Sequence, residues 1–372
     1  MSRLKDLFSK SGFSIRKLAK VSEIPEVKLK NLFEGFIDPS MSDLRKLSIA
    51  LEVPISYLIS ESSNDVEKVK VLFRNEIKSE SSKYEVDKFS FLIGNSLSLL
   101  QGYVPDSTLI NYFDRVHEDY ASASILAIKF RELYCEGDQL GPLFTLPYIL
   151  ENKLKCIVYV TEIGADGASA YINNVPFIFI SPRFEGRMLF TCAHELAHIL
   201  THLKRGSDTV HYDENIFDEK RNRSIEEKFA NAFAANLLMP EQGVAIALKK
   251  IRSYISNNLD SIGDVEILYL SRLYGVSFES ASMRLETLNL IPKGATYSLS
   301  KEINSKFKSA EKRADNLGLP PRERIVFPKV SASLVANAIK RIQDGSLSIG
   351  KASEMLSLSV QEIISQNVRR FT

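Results

Sequence analysis

The chain has 372 residues, 44% of them hydrophobic, enough for two or three separately cored domains rather than one. Its 48 Lys and Arg nearly cancel 46 Asp and Glu to a formal net charge of +2, so no global field marks a polyanion binder and any nucleic-acid role must be local. Three cysteines, Cys135, Cys156 and Cys192, form an odd, widely spaced set without CxxC, which argues against a disulfide framework and a thiolate zinc site.

The chain does not open with a charged segment followed by an apolar core, and no apolar run reaches the roughly 18 residues of a membrane span. A cytoplasmic protein without a membrane segment is therefore expected. Residues 1–60 predict a small helical domain, because Leu4, Leu7, Leu18, Leu29, Leu32, Leu44, Leu47 and Leu51 recur at three- and four-residue steps. Ser14 can cap a helix starting at Ile15, and Ser40 with Asp43 has the spacing of a capping box. Residues 61–83, rich in Ser, Glu and Lys, read as a connector.

From Tyr84 to Leu154 the pattern is mainly helical, and the β-branched and aromatic runs Cys156–Val160 and Phe177–Ile180 read as strands. Two helices follow, about Arg187–Lys204 and about Ile225–Leu238, the second opened by Ser224 with Glu227 as a capping box and stopped by Met239-Pro240. Beyond Pro240 helical periodicity returns. The expected fold is thus mainly α with a small β-sheet (α+β), divided at 84–245 and 246–372 after the N-terminal domain and connector. At the C-terminal end, residues 346–365 carry Ala352, Leu356, Ser359 and Ile363 at a spacing that fits a small recognition element or, more simply, a pair of packed helices.

The segment Phe190–His198 contains HExxH in a helix-compatible context. Residues four apart share a helix face, so His194 and His198 can point at one metal, while Glu195 is turned by about 100° and can reach an attacking water as general base. Zn²⁺ suits such a site, with Mn²⁺ as the alternative; it lowers the pKa of a bound water towards about 7. A third ligand is required, and Glu227 is the best candidate, on a helix whose alanines permit close approach; Glu226 is the adjacent alternative. Asn231, one turn on, can orient a ligand histidine. His202 can be a ligand, a substrate-facing donor or a structural histidine, the last two being preferred. His117 and His211 have no partner spacing and read as surface residues, although His211 can face the site from a loop. Cys192 reads as a packed small apolar residue.

Residues 187–202 (RMLFTCAHELAHILTH) and 227–240 (EKFANAFAANLLMP), with the strand Phe177–Ile180, resemble the ImmA/IrrE family of metallo-endopeptidases, in the version with an N-terminal helix-turn-helix of the lambda-repressor-like XRE type. Leu270–Ser277 with Ala281, Arg284 and Leu285 resembles the helix-turn-helix-like segment that follows such peptidase domains. The resemblance implies a zincin-like domain in which His194, His198 and Glu227 bind zinc and Glu195 is catalytic. It implies further that the substrate is a protein, usually an XRE-type repressor, cut to release a stress-linked operon. Some relatives have Asp where this chain has Asn231.

Residues 15–40 resemble the helix-turn-helix pattern, with Leu18-Ala19 in the first helix and a turn near Glu23-Ile24. In such a module the second helix enters the major groove, so Glu26, Val27, Lys28 and Asn31 would reach bases. Pro25 and Phe33, and the absence of Gly in the turn, depart from the family pattern. The alternative to DNA binding is pairing with another such module, and modules of this kind commonly act as dimers, which makes a homodimer a partner to consider. Two readings of the whole follow: a zinc peptidase that cleaves a partner regulator while residues 1–60 bind DNA, or a transcription regulator or antitoxin whose zinc domain binds a partner without turnover.

Overall fold

The computed structural model describes residues 14–51, 83–100, 117–203, 208–213, 224–255 and 261–368, together with the single positions Phe8, Ile55, Leu58, Val69 and Leu72. The expected connector at 61–83 lies almost entirely outside the described residues. Helices dominate, and one four-stranded mixed sheet is present among the described residues, so the fold is mainly α with a small β component.

At the N-terminal end α1 (Ile15–Ser22), α2 (Glu26–Glu34) and α3 (Met41–Ala50) enclose their own apolar cluster around Leu18, Leu29, Leu32, Leu44 and Leu47. The caps are those the sequence predicts. Ser14 accepts the amide of Lys17 at 3.2 Å, and Ser40 and Asp43 form both halves of a capping box. α1 ends on Glu23 at φ 52°, a left-handed residue without the glycine such a turn prefers.

Next come α4 (Lys83–Leu99), α5 (Tyr120–Tyr134) and α6 (Leu146–Asn152), then β1 (Ile157–Val160), β2 (Gly167–Ile172) and β3 (Val175–Ile180). β2 and β3 form a hairpin over Asn173 and Asn174, both left-handed (φ 49° and 62°), as a two-residue turn of the primed type requires. β4 (Thr209–Asp213) adds antiparallel to the outer side of β2, giving the order β1-β3-β2-β4. β2 and β4 are absent from the sequence reading. The helix expected over Arg187–Lys204 starts earlier and changes character: α7 spans Glu185–Ala197 and continues as a π-helical turn over His198–His202. α8 (Ile225–Leu238) has the predicted bounds.

Strand alternation divides the sheet between two cores. Val158, Tyr171, Ile178 and Ile180 face α7 and α8, whereas Tyr159, Ala168, Ala170, Phe177 and Phe179 face α4 and the C-terminal helices. The first cluster runs from Ala123 to Ile325, without a break at the expected 245/246 boundary. It takes in α9 (Glu241–Tyr254), α10 (Asp264–Tyr274), α11 (Phe278–Thr287), α12 (Ala295–Phe307) and α13 (Ala310–Asn316). The second is closed by α14 (Ala332–Gln343), α15 (Ile349–Leu356) and α16 (Val360–Val368).

Two buried arginines fasten the C-terminal end of α8. Arg131 donates to the carbonyls of Leu237 (2.7 Å), Gln139 (2.8 Å) and Gly141 (2.9 Å). Arg284 donates to the carbonyl of Met239, the amide oxygen of Asn236 and the hydroxyl of Tyr120. Replacing Arg131 by Met keeps the apolar stem but strands three carbonyls that each lose a charged donor. The expected cost is about 3 kcal/mol, read as a lower urea midpoint with an unchanged slope.

No helix among the described residues is long and apolar enough to cross a membrane.

Candidate metal centre

α7 has no Gly or Pro between Arg187 and Ala197, and buries Cys192, Ala193, Leu196 and Ala197 completely. They share one apolar cluster with Ala230 and Ala234 of α8, and Glu227, in the first turn of α8, comes opposite the histidines. Ser224 accepts the amide of Glu227 at 3.2 Å, but the reciprocal half of the expected capping box is not made because the carboxylate is turned to the histidines.

The Nε2 atoms of His194 and His198 lie 3.1 Å apart, and each lies 3.4 Å from a carboxylate oxygen of Glu227. Donors held 2.0–2.2 Å from one tetrahedral centre would stand about 3.3–3.6 Å from one another. The observed spacings, 3.1–3.4 Å, sit close to that edge length, and these atoms form the one His/Cys/Asp/Glu group that fits a metal among the described residues. Both imidazoles are fully buried and the Glu227 side chain is 17% exposed, so three converging donors with no apolar alternative role occupy this spot.

Glu195, fully buried on the same helix, lies against the sheet at Gly167. A Cβ at position 167 would stand 2.5 Å from Glu195 Oε1 and 2.7 Å from Thr191 Cγ2, so the glycine is required there by close approach. Gly167→Ala is expected to displace the Glu195 carboxylate while leaving the three converging donors and the metal they can take up unchanged, which a zinc titration checks.

His202 lies against His198. Its Nδ1 lies 2.8 Å from Nδ1 of His198, so if Nε2 of His198 offers its lone pair to a metal, the proton on Nδ1 is donated to His202. Thr201, whose hydroxyl bonds the carbonyl of Ala197 at 2.7 Å, accompanies the widened turn that sets this pairing. Asn231 does not orient a histidine as expected: its amide donates to the backbone carbonyl of Glu227 at 2.9 Å, one turn back on its own helix.

His211 departs most from expectation. It sits on strand β4, not on a surface loop, with its ring stacked on His198 at 3.6 Å between centroids and its Nε2 2.9 Å from Glu227 Oε1. The register explains this: His211 pairs with Ser169 and shares the sheet face of Gly167, the face turned to α7. Ligating carboxylates commonly have such a polar neighbour. The signal was the alternation of Val210 and Tyr212 around His211, both of which pack into the second core. His117, by contrast, is exposed as predicted.

Three histidines hold the Glu227 carboxyl far below the usual carboxylate range against the opposing effect of burial. Burial, with His211 nearby, lowers His198, and burial brings His202 down to about 4. At neutral pH the Glu227 carboxyl is therefore ionised, and His198 and His202 are neutral. Burial also pushes the Cys192 thiol well up, in keeping with a packed, unreactive side chain.

His202 makes the metal-free fold acid-sensitive. The unfolded chain gains a proton on this histidine near pH 6.5, and the folded chain only near pH 4. Stability is fully present above pH 6.5, falls as pH drops through that window and levels off below about 4. The expected loss is about 2 kcal/mol, seen as a urea midpoint that declines less steeply in His202→Gln.

The residues expected to read DNA lie on α2. Glu26 and Val27 are exposed and Asn31 is half-buried. Lys28 lies with its ammonium 2.7 Å from Asp43, tying α2 to the capping box of α3, while its side chain remains 42% exposed.

Residues 160–286 match the family model described as Peptidase_M78, IrrE N-terminal-like domain, over about a third of the chain. No curated protein matches the chain. The matched segment contains α7, β4 and α8, and thus all of His194, Glu195, His198, His211 and Glu227, which supports a metallopeptidase segment of the ImmA/IrrE type in this chain.

Proposed function

We propose that this protein is a zinc-dependent endopeptidase that cleaves a partner regulatory protein, an XRE-type repressor, and that residues 1–60 bind DNA in the same regulatory circuit. The observation that carries the peptidase reading is the 3.1–3.4 Å convergence of His194, His198 and Glu227, the histidines lying on a helix that also carries the buried Glu195. The identity of the substrate rests on the resemblance of residues 187–202 and 227–240, and the DNA-binding role on that of residues 15–40.

Two imidazoles and one carboxylate would hold the metal, a donor set that suits zinc and leaves a fourth position open. When bound, the metal supplies Lewis acidity to a water and to the carbonyl oxygen it attacks. Glu195 accepts a proton from that water as its oxygen joins the carbonyl carbon, and returns a proton to the amine nitrogen as the C–N bond breaks. His202 keeps the His198 ring oriented, and His211 steadies the Glu227 carboxylate. The β2 backbone at Gly167 fixes where Glu195 can stand.

The test is bound metal in protein purified without chelator. About one zinc per chain is expected, and none in His194→Ala. A chain that takes up no metal after zinc is supplied would overturn the proposal.

A further inference from the structure

We infer that α15, its turn and α16 form a second helix-turn-helix unit that reads double-stranded DNA, beside the one at the N-terminal end. The two units coincide feature by feature. α1 and α15 each have eight residues, and each is capped by a serine that accepts the amide three residues on: Ser14 from Lys17 and Ser348 from Lys351. Each ends on a non-glycine residue at φ 52°, Glu23 and Ser357. A buried apolar residue follows, Ile24 and Leu358, and then a helix of nine residues, α2 and α16.

The burial pattern keeps one register. Leu18 matches Ala352, Ser22 matches Leu356, Ile24 matches Leu358 and Leu29 matches Ile363, all 3% exposed or less. Even the fastening of the second helix recurs at the equivalent position: Lys28 is held by Asp43 at 2.7 Å, and Glu362 by Lys329 at 2.6 Å. Sequences that share little beyond these inward positions thus take one helix-turn-helix form.

That form alone does not make a DNA reader, as α10 and α11 demonstrate. They share the left-handed turn, at Gly275, and the buried Val276, yet Phe278, Ala281, Arg284 and Leu285 sink α11 into the main core. α16 differs because its outer side is open. Val360 and Ile364 are 38% and 49% exposed, and Gln361 and Ser365 are exposed with them. The carboxylate of Glu362 is engaged at the surface by Ser359 and Lys329, which leaves one amide, one hydroxyl and two aliphatic groups as the free part of this face. Glutamine can pair with adenine in the major groove, and aliphatic groups can meet a thymine methyl.

Charge points the same way. Residues 329–372 carry six Lys and Arg against three Asp and Glu, a net +3. Residues 1–60 also carry +3, which leaves −4 for everything between. The basic excess is thus confined to the two ends, the distribution expected of duplex contacts made by the terminal units. The units are also neighbours: α3 and the α15–α16 turn line a single cavity of about 740 Å³, to which Arg45 and Lys329 contribute.

The test uses the full chain and a 40-base-pair duplex pool with a randomised core, at about 50 mM salt. Selection followed by sequencing should return a two-part motif. Gln361→Glu with Ser365→Glu should weaken binding at least tenfold and erase one part; Asn31→Ala should alter the other. Unchanged thermal unfolding in the double variant keeps the comparison valid. Affinity and motif unaltered by Gln361→Glu with Ser365→Glu would overturn the inference, as would a full chain that retains no duplex. Loss in that variant with no effect of Asn31→Ala would sustain it and instead overturn base reading by the N-terminal unit.

Discussion

Glu195→Gln is expected to abolish cleavage of the regulatory protein while leaving the bound metal in place. The substitution keeps volume and hydrogen-bonding shape, and Glu195 is not among the three converging donors. What it removes is the proton acceptor. Positioned general bases contribute roughly 10²–10⁴-fold, so turnover should fall by about 10³-fold at unchanged metal content. Gly167 lies close against the side chain, and the amide should take the same place without a change in stability. The same variant separates the peptidase reading from a regulator that acts without turnover. If release of the controlled operon survives in Glu195→Gln, cleavage is not how the protein signals.

Glu227→Ala should cost the site its metal. The carboxylate is the sole anionic member of the cluster, and three imidazoles lean on it. Removing it leaves two ligand imidazole nitrogens 3.1 Å apart, too few for a stable protein site. The fall in zinc affinity, measured by chelator competition, should exceed the roughly 10–100-fold that loss of a supporting partner costs. His211→Ala should stay within that smaller range. Asn231→Ala should leave affinity unchanged, because its amide is spent on the Glu227 carbonyl. Equal losses for Asn231→Ala and Glu227→Ala would show that the geometry has been misassigned.

The donor cluster was legible in the sequence because its parts obey helical arithmetic. His194 and His198 are one turn apart on a helix without breakers, and Glu227 is three residues past a capping serine on an alanine-rich helix. What escaped was whatever depended on the sheet. β2 reads Gly-Ala-Ser-Ala-Tyr-Ile, weak in strand formers, because its small residues are squeezed between Glu195 on one side and the second core on the other. With β2 unseen, β4 had no neighbour to pair with, and His211 could not be placed. Asn231 failed for a local reason: it found a partner one turn back on its own helix before any functional one.

The hairpin that carries β2 also makes the gene unforgiving at one spot. Alternate residues of this strand serve two masters, Gly167 and Ser169 towards the donors, Ala168 and Ala170 towards the C-terminal helices. Adding or deleting one codon between Gly167 and Asn173 would turn every side chain beyond the change to the opposite wall. A single frame-preserving event would thus dismantle the chemistry and the support for the C-terminal unit together, whereas most substitutions would touch only one. Length here is inherited more strictly than identity.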